Sequence, residues 1–196
     1  MTLLGNIPDA TPINDLSGLI PTHLISRQEL NEWEAANIIK AVQKYLGTPK
    51  QLEINPIWIK KVHKEMFDDT WAWAGEFRKS NYNLGVNWPD IPAQIKLLTD
   101  DLTHWRKEDN NISILEQSVR LHHRLVKIHP FINGNGRHAR LVADIFLFNH
   151  HHPLPTWPDN KLIEESNIRN IYINALKEAD KGDYAALLSF TRGLLS

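Results

Sequence analysis

The residues with the clearest chemical potential lie between His129 and Arg140, in the string His-Pro-Phe-Ile-Asn-Gly-Asn-Gly-Arg-His-Ala-Arg. Gly134 and Gly136 allow positive φ angles and carry no Cβ, so backbone N–H groups beside them can face a bound anion. Asn135 adds a side-chain amide donor. A helix that begins at these glycines directs its unpaired N–H groups and positive dipole end at the same point. The segment therefore predicts an anion-binding turn.

A histidine and two arginines accompany this turn. An imidazole near its ordinary pKa can take a proton from a hydroxyl at neutral pH, and His129 stands directly before the turn. Arg137 and Arg140 are three positions apart, so they share a helix face and can each give forked hydrogen bonds to a phosphate. A Gly-Asn-Gly turn alone would be an ordinary interhelical connection. The combination favours phosphate chemistry.

Composition limits the class of protein. The chain has 196 residues, 42% of them hydrophobic and 23% charged, which fits one soluble globular domain with or without a short N-terminal extension. A formal charge of -1 gives no general attraction to nucleic acid or an anionic membrane. Cysteine is absent, which excludes disulfides and thiol nucleophiles. There is no basic leader and no apolar run of membrane-spanning length, so we expect a cytoplasmic protein.

Hydrophobic periodicity predicts a mostly α single domain with one small β-hairpin. The predicted helices begin at Ser26, Asn55, Asp90, Ser113 and Gly136, and two more cover about 168–179 and 184–194. Ser113 and Glu116 have the spacing of a capping box, and their helix delivers His129. The helix after the glycines is too apolar for a surface and is expected at the centre. Aromatic residues over 71–88, interrupted by glycines, predict a hairpin or extended flap.

The string that begins at His129 resembles the signature of the Fic family, His-Pro-Phe-x-Asp/Glu-Gly-Asn-Gly-Arg-x-x-Arg, at every defined position except one. This family has the Fido fold and includes the Doc toxins of toxin-antitoxin pairs. Trp73-Ala-Gly-Glu-Phe-Arg78 resembles the start of the family's flap, which holds the modified segment of a target, and 172–176 and 182–187 resemble its C-terminal helices. The resemblance implies a Fic domain over 51–196 and an N-terminal arm and helix, open to a regulatory role, over 1–50.

The resemblance also implies an activity. Many family members transfer AMP from ATP to a Tyr, Thr or Ser hydroxyl of a target protein. It implies that His129 is the general base. The implied nucleotide-binding residues are Gly134, Asn135, Gly136, Arg137 and Arg140. The whole chain further resembles a subgroup called mobile mystery protein B, whose members usually lie beside a helix-turn-helix protein, which implies such a partner and no direct contact with nucleic acid or membrane.

One motif position departs from the family pattern. Asn133 lies where most active members have an Asp or Glu that binds Mg²⁺. A neutral amide oxygen can ligate Mg²⁺, but it lacks the charge that hard cations favour. The metal requirement and the rate of AMP transfer are therefore open. Two alternatives are a Doc-like protein kinase, which transfers the γ-phosphate, and a catalytically weak nucleotide-binding regulator paired with a DNA-binding protein.

An inhibitory glutamate is a further implication of the resemblance. In many members it follows the pattern Ser/Thr-x-x-x-Glu-Gly/Asn and pairs with the second motif arginine. Glu34 is the nearest candidate, although Leu30 and Ala35 occupy the flanking positions, and Glu29 or Glu32 could serve instead. A solvated helical glutamate is the simpler interpretation for each of them.

The remaining histidines raise the alternative of a zinc site. His122 and His123 are adjacent, and three more follow one another at 150–152. The chain has neither cysteine nor the His-Glu-x-x-His spacing, so helix termination and packing are favoured over metal binding.

Overall fold

The computed structural model describes residues 17–23, 26–107, 111–158, 162 and 166–195. The expected irregular arm falls mostly on residues 1–16, which lie outside the described part. The α-helices of the described residues are α1 (Arg27–Tyr45), α2 (Pro56–Phe67), α3 (Ile91–Trp105), α4 (Ile114–Ile128), α5 (Asn135–Asn149), α6 (Asn167–Asp180) and α7 (Ala185–Arg192). The prediction of a mostly α fold is confirmed. Among the described helices, none is long and apolar enough to cross a membrane.

Polar caps set the helix starts. Ser26 Oγ accepts a hydrogen bond from the Glu29 N–H at 3.2 Å, and the Glu29 carboxylate accepts one from the Ser26 N–H at 2.9 Å, so α1 begins with a full capping box. Ser113 caps α4 in the same way through the Glu116 N–H. The predicted capping box there is only half formed, because the Glu116 carboxylate accepts hydrogen bonds from Arg120 instead.

The helix α5 lies at the centre of the domain, as its apolar sequence predicts. It packs on α4 and α2, while α4 also packs on α3 and on both C-terminal helices. Val142 and Ile145 are fully buried in a core shared with α1, α2 and α3. A second core forms around Leu147, Leu176 and Leu187 on the side of α6 and α7. The two cores fix α5, and hence the turn that precedes it, from opposite sides.

The predicted β-hairpin is not confirmed. Residues 71–88 are all described, and they form isolated bridges without a strand ladder, including an antiparallel bridge between Phe77 and Phe131. The buried Arg78 guanidinium donates hydrogen bonds to the carbonyls of Ser80, at 2.7 Å, and Val86. Side-chain donors thus close the segment where a hairpin would use cross-strand amides. We call residues 75–88 the flap segment.

Candidate functional site

His129 ends α4 in a fixed orientation. Its backbone is left-handed, with φ 52 and ψ 59, and only 8% of the residue is exposed. The ring Nδ1 lies 3.3 Å from the Val126 carbonyl, which can only accept, so Nδ1 carries the proton and the lone pair lies on Nε2. Burial lowers the pKa of His129 to about 4; the Val126 hydrogen bond opposes that shift and the Arg78 charge adds to it. The expectation of an ordinary pKa is therefore wrong, and the ring is neutral at pH 7.

The flap segment packs directly on His129. Arg78 Nε donates a hydrogen bond to the His129 carbonyl at 2.8 Å, and the Val86 N–H donates to the Ile128 carbonyl at 3.3 Å. A Cβ on Gly85, whose φ is +96, would lie 2.6 Å from His129 Cβ. Sequence reasoning placed Arg78 in the flap motif but gave it no role; the structure makes it the tie between flap segment and histidine.

The turn before α5 needs one of its glycines for its conformation. Gly134 has a φ of 75, and a Cβ there would lie 2.5 Å from the Phe67 ring, so both backbone and space require glycine. Gly136 lies within α5 and is outside the positive-φ set, so the expectation of positive φ is correct for Gly134 only. A Cβ on Gly136 would lie 3.6 Å from Arg140 Nη1, which places that guanidinium beside the turn.

Asn135 braces the turn. The residue is only 3% exposed, and its side chain accepts a hydrogen bond from the Phe131 N–H and donates one to the Phe131 carbonyl, both at 2.9 Å. Phe131 itself is fully buried, as expected of a loop anchor. The amide expected to contact phosphate is thus engaged with the loop. The donors that remain available to an anion are the first-turn N–H groups of α5, which have no partner inside the helix.

The two motif arginines start from one helix face and contact different neighbours. The Arg137 guanidinium lies 5.0 Å from the Phe67 ring centroid, on the side of α1 and α2. The Arg140 guanidinium lies 5.8 Å from the Trp157 ring centroid, and Arg140 is 6% exposed. Two cationic groups therefore border the turn on separate sides.

Glu34 of α1 reaches the motif. It is 1% exposed, its Oε2 lies 2.7 Å from Arg137 Nη1, and its Oε1 accepts a hydrogen bond from Trp71 Nε1 at 2.7 Å. The other two candidates do not take this position, because Glu29 belongs to the capping box and Glu32 lies on the exposed face, bonded to Gln28. The ion pair is formed with the first motif arginine, whereas the resemblance implies the second.

Asn133 offers no charged ligand at the expected metal position. The Asn133 side-chain nitrogen is buried without a hydrogen-bond partner, and an N–H donor is not satisfied by a cation. Within the described ranges, His, Cys, Asp and Glu form no group of three or more that could hold a metal. The histidines of the zinc alternative are engaged in packing: His122 Nε2 lies 2.9 Å from the Tyr172 hydroxyl and His123 Nε2 lies 3.1 Å from the Asp180 carboxylate.

Comparisons with known proteins identify a family and a fold that this chain resembles. The Fic/DOC family model matches residues 53–147. A protein adenylyltransferase Fic from Drosophila grimshawi is 31% identical over 119 residues, which are 60% of this chain and 23% of that protein, so the chain spans under a quarter of such relatives.

Two solved structures share the fold. The BepC effector protein of Bartonella tribocorum, with bound AMPPNP, has a TM-score of 0.66 at 16% identity over 93% of this chain and 97% of its own. Fic-1 from C. elegans has a TM-score of 0.64 at 22% identity over 91% of this chain and 51% of its own. The motif, the helical fold and the family match agree, and residues 53–147 form the part of the chain that matches the Fic/DOC family.

Proposed function

We propose that this protein is a Fic-type adenylyltransferase, which transfers AMP from ATP to a hydroxyl side chain of a target protein. The observation that carries the proposal is the fixed tautomer of His129 beside the anion-binding turn. Asn135 folds the turn back onto Phe131, two residues after the histidine, so the base and the N-terminus of α5 are held in one rigid loop. The names of the curated relatives and the nucleotide analogue bound to BepC support the same reaction.

The proposed chemistry uses the Nε2 lone pair of His129. Nε2 accepts the proton of the target hydroxyl, the hydroxyl oxygen bonds to the α-phosphorus, and the bond from that phosphorus to the bridging oxygen breaks, so pyrophosphate leaves. The free imidazole is a weak base because burial lowers its pKa to about 4. A triphosphate beside it would raise that pKa, since nearby negative charge favours the imidazolium. Substrate binding thus strengthens the base.

The phosphates are held by backbone and guanidinium groups. First-turn N–H groups of α5 face the α- and β-phosphates, and the positive end of the helix dipole favours the charge that moves onto pyrophosphate. Arg137 and Arg140 neutralise the terminal phosphates from the two sides of the turn. Asn133 contributes a neutral donor in place of an acid. We infer nucleotide binding with a weaker metal requirement, or slower transfer, than an Asp would give.

The target would lie along the flap segment. Tyr82 and Trp88 are 40% and 43% exposed, so their rings are accessible to a bound peptide. Asn81 accepts a hydrogen bond from the Trp88 N–H at 2.9 Å, which holds this end of the segment closed. An extended target strand would gain ring contacts there and reach His129, because Arg78 ties the segment to that histidine.

Glu34 is the proposed inhibitory residue, and 1–50 the regulatory part of the chain. The Glu34 carboxylate lies 2.7 Å from the Arg137 guanidinium, so a phosphate must displace this carboxylate to bind Arg137. The same carboxylate is anchored by Trp71, which keeps it in place at rest. Release of α1 would expose Arg137 and favour the nucleotide.

ATP labelled separately on the α- and γ-phosphates tests the reaction. The purified protein and its Glu34→Gln variant are incubated with each label and candidate protein targets, with Mg²⁺ present and absent. Retention of the α-label supports AMP transfer. Retention of the γ-label alone would mean a protein kinase instead, and ATP binding without any transfer would mean a regulator, consistent with the expected helix-turn-helix partner. Absence of ATP binding in both proteins under every ion condition overturns the proposal.

A further inference from the structure

His63 of α2 makes two hydrogen bonds that define its protonation. The residue is fully buried. Its Nδ1 accepts the Gly75 N–H at 3.0 Å, and its Nε2 lies 3.0 Å from the Asn133 carbonyl oxygen. A backbone N–H only donates and a carbonyl only accepts, so the ring must be neutral with its proton on Nε2. Burial, with the charges of His138 and Arg137, lowers the pKa of His63 well below its usual value, which agrees with that state.

The two partners of His63 belong to the two halves of the site. Gly75 begins the flap segment, which continues to Arg78 and its bond to the His129 carbonyl. The Asn133 carbonyl stands directly before the turn glycine. The ring also stacks on Phe131, with centroids 3.7 Å apart and planes 16° apart, and Phe131 is the residue that Asn135 braces.

The flap segment and the turn before α5 both pack closely against α2. A Cβ on Gly75 would lie 2.7 Å from Lys64 Cβ, and a Cβ on Gly134 would lie 2.5 Å from the Phe67 ring. Both glycines have positive φ, so each segment is held against α2 in a conformation that few residues other than glycine adopt. His63 lies on the same helix, directly before Lys64 and one turn before Phe67, and is bonded to both segments.

We propose that His63 is a positioning residue that sets the register between the flap segment and the anion-binding turn. Through it, the flap segment, which would hold the target hydroxyl, and the turn, which would hold the α-phosphate, are kept aligned beside His129. This inference rests on the proposed function, because it concerns the alignment of the two substrates of that reaction. The histidine touches neither substrate; it acts through the main chain of Gly75 and Asn133.

Two substitutions separate the two hydrogen bonds. In His63→Asn the amide oxygen can take the place of Nδ1 and accept the Gly75 N–H, but no donor reaches Asn133. In His63→Gln the amide nitrogen can take the place of Nε2 and donate to Asn133, but the acceptor for Gly75 is lost. His138→Gln is the matched control: that buried histidine bonds through Nε2 to the Ile59 carbonyl at 3.1 Å, which glutamine can reproduce.

The readouts are ATP affinity by calorimetry and hydrogen exchange of the Gly75 amide. We expect His63→Asn to weaken ATP binding about tenfold with Gly75 exchange unchanged, and His63→Gln to speed Gly75 exchange about 10- to 100-fold with ATP affinity kept within about threefold. The control should change neither. Equal loss of both readouts in both variants, or no change in either, would show that His63 is only a packed core residue.

Nitrogen NMR of the wild-type imidazole supplies a measurement that needs no variant to fold. The proposal requires a proton on Nε2 of His63 at pH 7, and a proton on Nδ1 would overturn it. Hydrogen exchange and the tautomer are both measured without nucleotide. A wild-type protein that fails to bind ATP would therefore refute the proposed function, while these two results would still decide whether His63 ties the flap segment to the turn.

Discussion

Glu34→Gln is the substitution that best tests the resting state of the site. In the structure its Oε2 lies 2.7 Å from Arg137 Nη1, with the Glu34 side chain 2% and the Arg137 side chain 22% exposed. Glutamine keeps an acceptor for Trp71 Nε1 and removes the charge that competes with a phosphate. A hydrogen bond to a charged group contributes about 1.5 to 3 kcal/mol net. If ATP must break this bond to reach Arg137, its removal should raise ATP affinity about 10- to 100-fold.

Calorimetric titration with ATP at fixed ionic strength measures this effect, since phosphate binding depends on salt. Glu32→Gln is the matched control because it is the same chemical change on the exposed face of α1, where the carboxylate bonds to Gln28. Its ATP affinity should equal that of the wild type. Urea unfolding should show that Glu34→Gln is still folded. Glu34→Ala would leave the buried Trp71 N–H unpaired, so its free energy of unfolding should fall by about 1 to 3 kcal/mol.

The result that refutes the reasoning is equal ATP affinity in the wild type and Glu34→Gln, with both folded and both able to bind. That outcome would mean that the ion pair persists beside the nucleotide or that Arg137 takes no part in binding. An equal gain in Glu32→Gln would also refute it, because the effect would then follow from the net charge of α1 and not from the contact at 2.7 Å.

Three further predictions follow from the site and its histidines. His129→Ala should lower α-label transfer about 10²- to 10⁴-fold with ATP affinity retained, and a loss of binding instead would contradict the role as base. Asn133→Asp should raise Mg²⁺ affinity in a titration of ATP binding; unchanged metal affinity and labelling rate would contradict our account of the motif departure. Burial lowers the pKa of His138 from 6.5 to about 4. Between these two pH values the unfolded chain therefore binds a proton at this histidine and the folded chain does not. When the pH is lowered from 7 to 5, the free energy of unfolding should therefore fall by about 2 kcal/mol for each such histidine. His138→Gln should reduce this pH dependence, which urea unfolding at each pH measures.

Local signals in the sequence were sufficient for most helices. Ser26 with Glu29, and Asn55 with Pro56, predict helix starts from short-range chemistry alone, and both caps occur as expected. The apolar α5 was correctly placed at the centre because a helix without a polar face has to be surrounded. These features depend on residues within one turn of each other or on the character of a single helix. Local sequence is therefore sufficient to predict them.

Features that depend on distant contacts could not be predicted. The flap segment was expected as a hairpin from its aromatic residues, but Arg78 occupies the carbonyls that cross-strand amides would use. Glu34 is the nearest of three candidates in the sequence, but only the packing of α1 on α2 shows that it contacts Arg137. The pairing with the first motif arginine, and the low pKa of His129, follow from burial that no spacing in the sequence expresses.

At rest the polar groups of the site are engaged with one another. Glu34 neutralises Arg137, and the imidazole of His129 is neutral because burial disfavours an imidazolium there. If the proposed function holds, a triphosphate changes both conditions at once: it replaces the carboxylate at the guanidinium, and its negative charge favours a protonated His129. Under the proposed function, the substrate therefore creates the basicity that its own reaction requires. Under the same proposal, transfer stays low until the Glu34–Arg137 ion pair opens, because the carboxylate and a phosphate compete for one guanidinium.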